Sequence, residues 1–133
     1  MKVLFVCTGN TCRSPMAETL SRSMGHLALS CGLYAHEGSG ASSGAMHAMA
    51  SRGLDLSSHR ARQVTEALVK QADAVVGISS RHAMALQSLF PQYADKITAM
   101  PVDIPDPFGG DDDDYMACAE MIEEALKKLF QTR

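Results

Sequence analysis

A thiol and a guanidinium, Cys7 and Arg13, stand near the start of the chain with five residues between them, and the hydroxyl of Ser14 follows at once. Cysteine becomes a strong nucleophile as the thiolate, and arginine presents a planar fork of donors that matches phosphoryl oxygens two at a time. Together they can attack the phosphorus of a held phosphoryl group, provided the fold turns both toward one point. The flanking residues indicate how. Lys2 to Val6 is short, β-branched and aromatic and reads as a buried strand, while from Pro15 onward Ala17, Leu20 and Met24 recur at helical spacing. Proline suits the first position of a helix. Between strand and helix lies a tight loop, Thr8-Gly9-Asn10-Thr11-Cys12, expected to bend at Gly9. A loop feeding a helix N-terminus aims backbone N–H groups and the positive end of the helix dipole at one spot, which makes a site for phosphate or another oxyanion. Cys7 is at the bottom of that bowl and Arg13 at its rim, and the same field favours the thiolate over the thiol.

The rest of the chain bounds what this loop can serve. At 133 residues a single domain spanning 1–133 is expected, and 46% hydrophobic against 20% charged residues excludes disorder. A formal charge of −3 argues against nucleic acid as a partner, since such proteins meet the phosphate backbone with a basic surface. The N-terminal apolar run is too short for a signal peptide or a membrane span, so a cytoplasmic, membrane-free monomer is expected. Four cysteines, Cys7, Cys12, Cys31 and Cys118, are few for a disulfide scaffold, and two of them lie in the loop, where a reduced state is needed. There is no Cys-x-x-Cys pair and no His cluster, so no structural zinc is expected.

Taken in order, strand-like and helix-like stretches alternate. After a helix ending near Gly25 come a strand at Leu27 to Cys31 and a Gly/Ser/Ala-rich loop from Gly32 to Gly44, too small and flexible to be core. Ser43 is placed to cap a helix closed by Gly53, and Thr65 opens another. Ala74 to Ile78 is a buried strand, Ser80 to Phe90 a helix with Ala83, Leu86 and Leu89 inward, and Ile97 to Met100 a fourth strand. The last helix, about Asp112 to Phe130, sets Tyr115, Ala119, Ile122, Leu126 and Leu129 on one stripe. The nine methionines are expected to fill the core. This alternation predicts an α/β fold, a four-stranded parallel sheet with helices on both faces. Ligands bind such sheets at the carboxyl ends of the strands, so the loop after the first strand and the Pro101 to Gly110 loop after the fourth can rim one cleft.

The stretch Val6-Cys7-Thr8-Gly9-Asn10-Thr11-Cys12-Arg13-Ser14 resembles the phosphate loop of the low-molecular-weight protein-tyrosine-phosphatase family at every diagnostic position, and the resemblance runs along nearly the whole chain. It implies a cysteine-dependent phosphatase that uses neither cofactor nor metal and acts on a phosphorylated protein. Cys7 then attacks phosphorus to form a phosphocysteine, the loop amides and Arg13 hold the oxygens, Ser14 bonds the Cys7 sulfur, and Asn10 braces the strained loop. Asp106-Pro107, alone an ordinary turn, stands where the family keeps its general acid, which assigns that role to Asp106; Asp103, with no proline after it, is the alternative. His59-Arg60-Ala61-Arg62 resembles a stretch given a structural hydrogen-bonding role. Cys12 stands where relatives carry a second thiol able to bond the nucleophile, and loop packing is an equal reading. Cys31 departs from the alanine usual between Ser30 and Gly32, and the first helix is short.

Substrate choice rests on two positions. In tyrosine-specific relatives the place of Thr11 is commonly isoleucine or another residue, and aromatics that would flank a phenyl ring follow the Asp-Pro pair. Thr11 is smaller and polar, and Phe108 is followed by Gly109 and Gly110. That pairing resembles the family's protein-arginine-phosphatase branch and implies phosphoarginine as substrate, with phosphotyrosine the alternative. Asp111 to Asp114 reads as a solvated cap matched to the helix dipole. Arsenate reductase, a remote alternative, requires further cysteines in the middle of the chain, and none lies between Cys31 and Cys118. A phosphoprotein-binding module without activity would be expected to lose Cys7 or Asp106.

Overall fold

The structure, a computed structural model, describes residues 1–131. Its centre is the strand β1, Lys2–Cys7, which pairs in parallel with β2, Leu27–Gly32, on one edge and with β3, Ala74–Gly77, on the other. The strand β4, Ile97–Ala99, completes a four-stranded parallel sheet in the order β2-β1-β3-β4. From β1 the chain moves first to one neighbour and later to the other, so the strand order reverses at the carboxyl end of β1. That is where a crevice opens in sheets of this kind, and it is where Cys7 sits.

Alternation along β1 builds two cores. Val3, Phe5 and Cys7 face one side, against α1 (Arg13–Ser23), α2 (Ser43–Ala50) and α5 (Asp112–Gln131). Leu4 and Val6 face the other, where Val69 of α3 (Glu66–Gln71) and Leu86 of α4 (Ser80–Leu89) cover them. In α5 the stripe Tyr115, Ala119, Ile122, Leu126 and Leu129 is buried as its spacing predicts. Each full burial of such a Leu or Ile contributes about 1.5–3 kcal/mol. Among the described residues no helix is long and apolar enough to cross a membrane.

Several local expectations are corrected. The helix α1 begins at Arg13, so Pro15 is its third residue; its missing N–H still falls in the first turn, where backbone donors have no partner within the helix. Ser42, not Ser43, caps α2, its hydroxyl accepting from the Ala45 N–H at 3.3 Å. Leu89 is 59% exposed: six residues beyond Ala83 it lies about 120° around the helix from it, and the chain leaves α4 there for a 3-10 turn over Pro91–Lys96. The Gly32 to Gly44 loop does reach the core, through Leu33 and through Gly44 packed on Tyr115. Of the nine methionines only Met16, Met49 and Met100 are buried, whereas Met1, Met84, Met116 and Met121 are exposed.

Candidate active site

Eight of the residues singled out in the sequence line one cleft of about 210 Å³: Cys7, Thr8, Gly9, Thr11, Cys12, Arg13, Asp106 and Phe108. The first six come from the β1–α1 connection and the last two from the loop after β4, so the crossover geometry joins residues about a hundred positions apart. Asn10 and Ser14, the other two, are fully buried behind the loop.

The loop turns at Asn10 rather than at Gly9. Asn10 has φ of 58°, in the left-handed region, and Gly9 has no such need. Asparagine tolerates that conformation better than most residues, and the side-chain amide and the carbonyl of this one have partners. Its Nδ2 donates to Ser14 Oγ at 2.9 Å and to Ser30 Oγ at 3.0 Å, and its Oδ1 accepts from the Arg62 backbone N–H at 3.0 Å. Its carbonyl lies 2.7 Å from His59 Nε2. His59 and the Arg62 main chain therefore buttress the loop from outside, the structural part that the family resemblance implies. Gly32, at the end of β2, closes the rear: a Cβ there would stand 2.6 Å from the Thr8 carbonyl and 3.1 Å from the Asn10 nitrogen.

Ser14 Oγ lies 2.9 Å from Cys7 Sγ. Because Asn10 Nδ2 can only donate to that hydroxyl, its own proton is free for the sulfur, the alternative acceptor being the Cys31 carbonyl at 3.4 Å. Arg13 is 7% exposed and anchored by Nη1 to the Ile104 carbonyl at 3.0 Å. Its Nη2 stands 3.7 Å from Asp106 Oδ2, while its buried Nε has no hydrogen-bond partner. A buried guanidinium nitrogen without an acceptor is costly, and an oxyanion seated beside Cys7 would supply the acceptor.

Asp106 is half exposed, and its Oδ1 accepts from the Phe108 N–H at 3.0 Å, which folds the Asp-Pro turn back on itself. Asp103 is committed elsewhere: its two carboxylate oxygens accept from the N–H and hydroxyl of Ser80, at the head of α4. The acidic run at α5 is a cap, with Asp111 Oδ1 accepting from the Asp114 N–H and Asp114 Oδ2 from the Asp111 N–H. Cys12 is buried at the head of α1, and burial, with Cys7 and Asp106 nearby, pushes its thiol up to about 12.

His82 is a neighbour of the site that spacing alone does not single out. It is buried, and its Nε2 lies 3.0 Å from Thr8 Oγ1. One signal was present: Ser79 stands three residues before it at a helix start, the spacing of a capping box, with histidine in place of the usual Glu or Gln.

Comparison with known proteins agrees with this geometry. Residues 2–132 match the family model described as low molecular weight phosphotyrosine protein phosphatase. The chain belongs to that family. It is therefore a phosphatase. The protein-arginine-phosphatase of Bacillus subtilis is 35% identical, over 97% of this chain and 94% of its own. Among solved structures, the low molecular weight protein tyrosine phosphatase of T. tengcongensis is 40% identical and superposes with a TM-score of 0.93, covering 100% of this chain and 99% of that one. A variant of the YwlE arginine phosphatase with a phosphorylated active-site serine is 33% identical with a TM-score of 0.92, over 99% and 95% of the two chains.

Proposed function

We propose that this phosphatase hydrolyses phosphoarginine in proteins, with Cys7 as nucleophile and Asp106 as general acid and base. The observation that carries the arginine reading is Thr11, a small polar residue lining the same cleft as Cys7 and Asp106, from where it would meet the group beyond the phosphorus. A hydroxyl beside a carboxylate suits a cationic, flat guanidinium better than an apolar ring. The 35% identical arginine phosphatase supports this reading. A second reading, phosphotyrosine, is favoured by the ring of Phe108, which is 82% exposed at the cleft rim and able to stack on a phenyl group, and by the 40% identical tyrosine phosphatase.

In the reaction, the loop amides and Arg13 Nε and Nη2 hold the phosphoryl oxygens. The Cys7 sulfur attacks phosphorus, an S–P bond forms, and the P–N bond to the arginine breaks as Asp106 gives its proton to the leaving nitrogen. Ser14 donates to the sulfur before attack and again when sulfur leaves. Water then attacks the phosphocysteine, Asp106 takes its proton, the S–P bond breaks, and inorganic phosphate departs. The serine variant with a phosphorylated active site supports a covalent intermediate of this kind in the arginine-phosphatase relative.

The test is the ratio of kcat/KM on phosphoarginine and phosphotyrosine peptides, in wild type and in Thr11→Ile. Losing a polar contact to bound substrate shifts discrimination by about 1–3 kcal/mol, roughly 10- to 150-fold. The wild type is expected to prefer phosphoarginine and the variant to move toward phosphotyrosine. A wild-type preference for phosphotyrosine, or a ratio that does not move, hands the assignment to the second reading.

A further inference from the structure

His82 uses both of its ring nitrogens at the edge of the cleft. Its Nδ1 lies 3.2 Å from the Ser79 backbone nitrogen and 2.9 Å from the Ser79 hydroxyl, and its Nε2 lies 3.0 Å from Thr8 Oγ1. A backbone N–H can only donate, so Nδ1 is the acceptor and the proton of the neutral ring sits on Nε2. Nε2–H therefore donates to the Thr8 oxygen, which leaves the hydroxyl proton of Thr8 still to be placed. Thr8 follows the nucleophile directly, and it lines the cleft with Cys7 and Arg13. The ring is 5% exposed. Four charged groups act on it, Arg13, Arg81, Asp106 and Asp103; burial first, then the two arginines, outweigh the two aspartates and push the imidazole down to about 4. At neutral pH the ring is uncharged, and the direction of the bond to Thr8 is fixed.

We infer that His82 is a positioning residue for the phosphate loop: its Nε2–H pins the Thr8 oxygen so that the Thr8 hydroxyl donates to an oxygen of the anion held between Cys7 and Arg13. The cleft thereby gains a side-chain donor beyond the loop amides and the guanidinium. The inference takes its anion from the phosphatase reading, yet binding of free phosphate tests it without any turnover.

The experiment measures calorimetric affinity for inorganic phosphate in wild type, Thr8→Val, His82→Asn, His82→Gln and the Thr8→Val/His82→Asn double variant. Valine keeps the branched shape without the hydroxyl. Asparagine keeps an acceptor for Ser79 but falls short of Thr8, whereas the longer amide of glutamine can still donate to it. Thr8→Val and His82→Asn should each weaken phosphate about tenfold, the loss of one directed hydrogen bond. The double variant should be within about twofold of either single one, because the two residues act through one another. His82→Gln should recover to within about threefold of wild type, a rescue that general loosening of α4 would not give. Unchanged phosphate affinity in Thr8→Val overturns the inference even if every His82 variant fails to fold. So does an additive, roughly hundredfold loss in the double variant, which would mean that His82 reaches the site by another route. If phosphate binding follows the expected pattern while the wild type cleaves no phosphoarginine, the positioning role stands and the proposed substrate falls.

Discussion

Burial holds three of the four thiols in the neutral form. It pushes Cys12 and Cys31 up to about 12 and Cys118 up to about 11, so at pH 7.5 roughly one molecule in three thousand or fewer carries a thiolate at any of them. Because thiolate and not thiol reacts with alkylating agents, iodoacetate at that pH should label Cys7 alone, to one equivalent, and inorganic phosphate should protect it. A raised thiol ionises only as pH climbs toward its own value, so labelling at the other three should begin only near pH 11 in folded protein. Peptide mapping by mass spectrometry reads this directly. Label on Cys12 at neutral pH would mean that the loop opens far more than its packing implies. At this scale Cys7 and Arg13 were legible by type and spacing, whereas Asp106 stood out only through the family resemblance. The support was less so. Asn10 carries the left-handed turn that Gly9 was expected to carry, since its side chain has partners on Ser14, Ser30 and the Arg62 main chain, contacts that exist only once β2 and the residue 59–62 segment are in place.

Elements were legible where periodicity alone decides them and less so where a neighbour does. The strands β1 and β3 are apolar on both faces and α5 has one clear stripe, so their sequences sufficed. Leu89 misled because apolar character near a helix end says nothing about which side the last turn presents. Gly44 misled differently. It sits in a stretch rich in small residues that suggests a mobile loop, yet a Cβ at this position would overlap the buried ring of Tyr115 on α5. The glycine is what lets α2 approach α5 there. Gly44→Ala should gain about 1 kcal/mol of helix propensity. It should lose about 1–3 kcal/mol to overpacking against the buried Tyr115 ring. Overpacking is expected to win, lowering the urea midpoint without changing the slope of the transition. A variant as stable as wild type would show that Tyr115 has somewhere to go.

Over the whole molecule, the order β2-β1-β3-β4 is the feature that alternation of elements could not supply, because a parallel sheet can be predicted without knowing which edge of β1 each later strand takes. The consequence of that order is that one side chain, Arg13, ties the first crossover to the segment after the last strand through its bond to the Ile104 carbonyl. Of its remaining donors, Nη2 stands beside Asp106 at the cleft that the two segments share, and the buried Nε has no partner. An anion bound there meets groups brought together only by the complete fold, so it binds the native state and not the unfolded chain. Phosphate at a hundred times its dissociation constant should then stabilise the protein by about 2.7 kcal/mol. For a chain of this size that raises Tm by on the order of 10 °C. Cys7→Ser, which leaves the amides and Arg13 in place, should keep the full shift although it abolishes turnover. Arg13→Ala should lose most of the shift, and even without phosphate should be less stable by about 1.5–3 kcal/mol, since the Ile104 carbonyl loses a charged donor. Thermal unfolding of the three proteins over a phosphate series separates the two contributions. If Arg13→Ala still responds to phosphate as the wild type does, the anion is held by the loop amides alone and the guanidinium is a structural tether.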